Sequence, residues 1–164
     1  MIVITDTSVI LNLSCIGKED LLFLLFGRIL APPEVAAEFQ RLAEADPRFL
    51  GLSFPGFVEV TSAPSIPESL LSNPRLDMGE IAALALAIET GADLVLMDEQ
   101  AGRAAAVCLG LAVVGVLGVL IQAKKSGLIR EVLPSVRMLE DRAGFWVLPS
   151  LLAKVAQLAG ESHD

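Results

Sequence analysis

Apolar positions along this chain fall into two alternating rhythms. Short runs of aliphatic or β-branched residues, Ile2 to Thr5, Arg28 to Ala31, Phe57 to Thr61, Leu94 to Met97 and Leu111 to Val114, predict strands. Between them, apolar residues recur at helical spacings. The first such helix runs toward Cys15 with Thr7 or Ser8 as its cap, the second covers Glu19 to Phe26, and the third, Glu34 to Ala45, follows Pro32-Pro33. Asp77 to Thr90 is the clearest helix, its interior filled with Ala and Leu and its end marked by Gly91. Gln100 to Leu109 and Val116 to Ser126 follow, and the tail adds helices around Ile129 to Ala143 and Pro149 to Ala159. Residues 46–57 read as a loop, and the Pro- and Ser-rich stretch Ser62 to Pro74 as a connection with a short helix around Glu68 to Ser72. Strands alternating with helices imply right-handed crossovers and a mainly parallel sheet covered on both faces, an α/β architecture.

Length and composition narrow this picture. A chain of 164 residues supports one well-buried core, so a single domain is expected. At 54% hydrophobic residues and 20% charged ones, it carries more apolar surface than one small core needs, which points to an oligomer interface. The uncharged run Ala104 to Ile121 is long enough for a membrane span, but Gly110, Gly115 and Gly118 divide it into a helix end, a strand and a helix start. The N-terminus MIVITD lacks the basic flank of a signal peptide, so a cytoplasmic protein without membrane association is expected. Cys15 and Cys108 have no CxxC spacing and read as small reduced core residues rather than zinc ligands or a disulfide. Charge is uneven: residues 1–98 hold 14 acidic side chains against 5 basic ones, whereas the remainder is nearly balanced. Any polyanion would need divalent cations to approach the acidic part.

The acids themselves suggest a site. Asp6 and Asp98 each follow the last apolar residue of a predicted strand, where open α/β sheets bind ligands. Glu80 lies in the first turn of the helix before the strand that ends at Asp98, and Glu38 sits mid-helix beside Val35 and Phe39; either can turn toward the same cleft. Carboxylates gathered in a small space repel one another unless a hard cation joins them, and Mg²⁺ or Mn²⁺ prefers oxygen ligands and polarises phosphodiesters. Each acid also has a purely structural reading. Asp6 can begin a helix; Asp77-x-x-Glu80 fits a capping box; Glu38 can pair with Arg41; Asp98 and Glu99 can be first-turn charges, Glu99 more so. Lys124, Lys125, Arg103 and Arg130 form either a phosphate-binding rim or, preferably, solvated helix ends. Other chemistries lack their parts. The single histidine, His163, is penultimate, which leaves a Ser or Cys nucleophile without a base, and neither GxGxxG nor GxxxxGK[ST] occurs. A receiver domain would want paired acids after the first strand, and a haloacid-dehalogenase-type phosphatase would want Asp-x-Asp where the chain has Asp6-Thr7-Ser8.

With Asp6 in ITDTSVI, Glu38 in PPEVAAEF, Glu80 in LDMGEIAALALA and Asp98 in LVLMDEQAGRAAA, the chain resembles the PIN-domain superfamily of metal-dependent nucleases. The later stretch LGLAVVGVLGVLIQAKKSGLI looks most like a prokaryotic PIN-like branch related to the VapC toxins. The resemblance spans Ile2 to about Gly160. It implies a three-layer α/β/α sandwich with a central mainly parallel sheet, one PIN-like domain over residues 1–164 with C-terminal helices at about 129–160. It also implies a Mg²⁺- or Mn²⁺-dependent endoribonuclease, frequent homodimers and often an antitoxin partner. Carried over, Asp6, Glu38, Glu80 and Asp98 become the catalytic acids, with Asp6, Glu80 and Asp98 on the metal and Glu99 as auxiliary. The third acid is often Asp in the toxins and here is Glu80; a Thr or Ser often precedes the fourth, where this chain has Leu96 and Met97. The alternative is a PIN-like binding module, dimeric and with a weak or inactive pocket.

Overall fold

The computed structural model describes residues 1–162, so His163 lies outside the described residues. Five short strands form one sheet: β1 (Val3–Thr5), β2 (Ile29–Ala31), β3 (Val58–Val60), β4 (Leu94–Leu96) and β5 (Val113–Val114). Every pairing is parallel and the spatial order is β3-β2-β1-β4-β5. From β1 the chain builds outward through β2 to β3, then returns across the sheet to start β4 and continues to β5. The direction of winding therefore switches between β1 and β4, which pair as Val3 with Leu94, Ile4 with Val95 and Thr5 with Leu96. Such a switch point opens a crevice at the carboxyl ends of the two strands.

Alternating side chains give the sheet two apolar faces. Val3, Ile29, Ala31, Val58 and Leu96 pack on one side, with α1 (Thr7–Cys15), α2 (Asp20–Phe26), α3 (Pro33–Ala45) and α7 (Val116–Lys125). The same side carries α8 (Leu133–Met138) and α9 (Pro149–Ala159). Ile4, Leu30, Val95 and Met97 pack on the other, beneath α4 (Glu68–Leu71), α5 (Met78–Thr90) and α6 (Gln100–Cys108). This is the three-layer α/β/α sandwich.

Several local expectations shift. The cap of α1 is Asp6 rather than Thr7 or Ser8, because its carboxylate accepts the Val9 N–H at 3.1 Å. The predicted strand from Leu111 begins only at Val113, since the Leu111 N–H is used to close α6 on Ala106 O at 2.9 Å. The expected helix from Ile129 starts at Leu133, with Pro134 in its first turn where a missing N–H costs nothing, and it ends in a π-helical turn, Leu139–Ala143. Cys15 packs against the core as expected, but Cys108 is exposed at the last turn of α6. The run Ala104 to Ile121 is broken as its glycines predict, and no helix among the described residues is long and apolar enough to cross a membrane.

Candidate functional site

The crevice between β1 and β4 takes its shape from backbone bonds at the strand ends. Asp6 N–H donates to Leu96 O at 3.0 Å and Met97 N–H to Val114 O at 3.0 Å, so both strand ends stay in the sheet until an acid follows. Asp6 is 3% exposed. One of its oxygens caps α1, and the Ser8 hydroxyl donates to the carboxylate at 3.0 and 3.2 Å. Burial drives the Asp6 pKa well above the usual carboxylate range, with the nearby charges of Asp98 and Glu80 adding to it against the pull of the Val9 N–H and Ser8.

Asp98 spends Oδ1 on the Val116 N–H, 2.9 Å away at the first residue of α7. Its Oδ2 is buried without a protein partner. Burial raises its pKa to about 6, with Glu99 also raising it, while the Val116 N–H and the Arg103 guanidinium pull it down. Glu80 closes the predicted capping box: its Oε1 accepts the Asp77 N–H at 3.1 Å and its own N–H donates to Asp77 Oδ1 at 2.8 Å. The structural reading of Glu80 is thus realised, but by one oxygen only. Oε2 is buried with no protein partner, and burial lifts this carboxyl to about 7, with the charges of Asp77 and Glu99 also raising it. Glu38 reaches in from α3, half-buried; burial first and the Asp77 charge second raise its pKa, against the Thr7 hydroxyl and Arg41.

Three glycines make room for these oxygens. A Cβ on Gly79 would lie 2.9 Å from Glu38 Oε2, and one on Gly102 2.5 Å from Glu80 Oε2. A Cβ on Gly115 would collide with Asp98 Oδ1. A depression of about 240 Å³ results, lined by Asp6, Glu38, Glu80 and Glu99 together with Thr7, Ser8, Arg75 and Asp77. Asp98 lines the adjoining cleft, and Glu99, exposed between the two, belongs to both. Glu99 precedes α6 and makes no capping hydrogen bond, so any part it plays at the helix start is through charge alone.

The four basic side chains do not assemble into one phosphate-binding rim. Arg103 stays beside Asp98, donating from Nη1 to Met97 O at 3.0 Å, but Lys124 pairs with Glu161 at 3.0 Å and borders a separate hollow with Arg130. Sequence reasoning passed over Arg75, Asp77, Thr7 and Ser8 as wall residues, and over Gly79 and Gly102. Both glycines lie in the first turn of a helix, where glycine is unremarkable, so the sequence carries no specific signal for them.

Among the described residues, no three acidic, imidazole or thiol side chains form a ready-made metal cage. What the site offers is two buried, unpartnered carboxylate oxygens beside a third buried acid. That donor set suits a hard cation that keeps most of its waters and takes only one or two protein carboxylates. No curated protein matches the chain. A family model described as a PIN domain matches residues 2–161. PIN domains are generally nucleases, usually dependent on divalent metals, and the all-parallel five-stranded sheet agrees with that nuclease-type fold. The chain belongs to the PIN-domain superfamily.

Proposed function

We propose that the chain is a Mg²⁺- or Mn²⁺-dependent endoribonuclease whose catalytic acids are Asp6, Glu38, Glu80 and Asp98. The observation that carries this reading is the pair of buried, unpartnered oxygens, Glu80 Oε2 and Asp98 Oδ2, at the switch point that Asp6 also occupies. A buried polar atom without a partner is costly, and two of them beside a third buried acid are what a cation site would require. Asp6 and Asp98 would hold the cation, Glu80 would complete its shell directly or through a retained water, and Glu99 would be an auxiliary at the rim. When bound, the cation would polarise the phosphodiester and lower the pKa of a coordinated water.

The protein's own groups do the remaining work. Ser8 and the Val9 N–H fix Asp6, and the Val116 N–H fixes Asp98 Oδ1, so the free oxygens are held in place without help from a ligand. Asp77 fixes Glu80 through the capping box. Glu38, wedged against Gly79, is the one acid with neither a helix to cap nor a backbone N–H to accept, and its carboxylate positions the attacking water and takes up its proton. Single-stranded RNA incubated with Mn²⁺ and the chain should be cut, and Asp98→Asn should cut at least a hundredfold more slowly; equal rates would refute the assignment. RNA rather than DNA, and a place as the toxin of a toxin–antitoxin pair, belong to the same proposal. Induction in a bacterial host should arrest growth, and co-expression of the adjacent gene should relieve it.

A second reading is a binding module with a weak pocket, favoured by the lack of a three-carboxylate cage among the described residues. Under it, Mn²⁺ would leave the melting temperature unchanged, because a ligand stabilises only the state that binds it.

A further inference from the structure

Beside the acidic depression lies a cleft of different character, about 520 Å³, within the range of small-ligand sites. Its walls are apolar: Val113 and Val114 of β5, Leu117 and Gly118 at the start of α7, Leu151 of α9, and the ring of Phe145. Asp98, Glu99 and Arg103 form its rim. Gly115 and Gly118 let its walls approach closely, since a Cβ on the first would meet Asp98 and on the second would press on Val114 at 2.7 Å. Phe145 is set by its backbone. Gly144 turns the chain with φ +67° at the end of the π turn, and the Phe145 N–H closes onto Leu139 O at 3.1 Å. The ring also borders a third depression that holds Thr7, Ser8, Glu38 and Glu99, so apolar cleft and acidic site form one continuous surface.

We propose that this cleft takes one unstacked nucleobase of the strand whose phosphodiester lies over the acids. The inference rests on the nuclease reading and adds to it a subsite for one base, built from residues outside the acidic depression. The chemistry matches at both ends of such a nucleotide. A base has an apolar π-face that packs on Phe145, Leu117 and Val114, and every base offers one. The phosphate beside it carries the negative charge for Arg103, whose planar fork has five N–H donors, only one of them, on Nη1, engaged by Met97 O. Bases paired in a duplex cannot enter.

The test is binding, read by fluorescence anisotropy of a labelled single-stranded oligoribonucleotide with Mn²⁺ in a Glu38→Gln background that suppresses cleavage. Phe145→Ala is expected to weaken binding roughly tenfold, the scale of one lost base stack. Phe145→Tyr should bind as the parent does, which separates loss of the stack from loss of the fold. The same strand annealed to its complement should bind more weakly and ignore the Phe145 change. Equal affinity of Phe145→Ala and its parent for the single strand overturns the proposal. So does a change of oligomeric state in Phe145→Ala with RNA binding unaltered, which would assign the cleft to a second copy of the chain. The outcomes separate the two claims: Phe145-dependent binding without cleavage by the unmutated chain removes the nuclease reading and keeps the cleft, whereas cleavage with Phe145-independent binding does the reverse.

Discussion

At the residue scale, the site depends on side chains that are missing as much as on those present. Gly102 is buried in the first turn of α6, and a demand from neighbouring segments keeps it small. The demand is Glu80 Oε2 and the Met97 thioether, both within reach of the absent Cβ. Each is the far end of a flexible side chain, so Gly102→Ala should move them rather than unfold the protein. The expected result is a melting temperature close to the parent's without metal, within ~1 kcal/mol of stability, and a loss of most of the Mn²⁺-dependent rise. Differential scanning calorimetry with and without Mn²⁺ reads both; an undiminished metal response would mean that Glu80 Oε2 does not face the cation. The acids were legible because carboxylates at strand ends stand out against apolar runs. The glycines were not, since Gly79 sits beside a helix cap and Gly102 near a helix start, where glycine has ordinary uses. What distinguishes them is the carboxylate facing each one from another segment, and only the folded chain brings those segments together.

Elements were legible in proportion to how much of their stability is local. The α5 helix has its cap, its capping box and its closing Gly91 within its own span, and its predicted and observed limits nearly coincide. The segment after α7 depends instead on a distant acid. Glu161, beyond the end of α9, accepts the Val132 N–H at 2.7 Å and the Leu133 N–H at 3.0 Å at the start of α8, and pairs with Lys124 of α7. Nothing within residues 129–133 announces that arrangement, so helical spacing alone places the helix start too early. The same bonds make a prediction about elements. Glu161→Ala strands two N–H donors and an ammonium in a site where the carboxylate is only 9% exposed, and should destabilise the fold by about 2 kcal/mol in urea unfolding. Because α8 and its latch lie apart from the acidic depression, the cleavage rate per folded molecule should be unchanged. A loss of activity without a loss of stability would mean that the C-terminal layer reaches the site in a way these contacts do not provide.

For the molecule as a whole, four acids with raised pKa values give the metal-free protein an unusual pH response. Asp6, Glu38, Glu80 and Asp98 hold their protons more tightly when folded than when unfolded, chiefly because burial disfavours their charged forms, with Glu80 at about 7 and Asp98 at about 6. Where the folded state binds more protons, stability falls as pH rises. From the ordinary carboxylate range up to pH about 7 the metal-free protein should therefore lose melting temperature, the reverse of the usual behaviour on leaving acid. At lower pH the sign reverses. Burial pushes the Glu161 carboxyl up, but the Leu133 and Val132 N–H groups and Lys124 outweigh it and hold it low, as Arg48 holds Asp46, so protonating these acids releases contacts. The outcome is a stability maximum on the acidic side of neutrality. Under the proposed assignment Mn²⁺ would compete with protons for the same oxygens, so its stabilising effect should be small near pH 5, grow through pH 6 to 7 as Asp98 and Glu80 ionise, and then level off. Glu80→Gln keeps the capping box, which accepts Gln as readily as Glu, while removing one titrating group. It should flatten the metal-free profile around pH 7 and blunt the response to Mn²⁺. Melting curves across pH 4.5 to 8.5 for parent and variant, each with and without Mn²⁺, decide the matter. A metal response independent of pH, or a parent and variant with the same profile, would show that the cation, if it binds, is held by groups other than these.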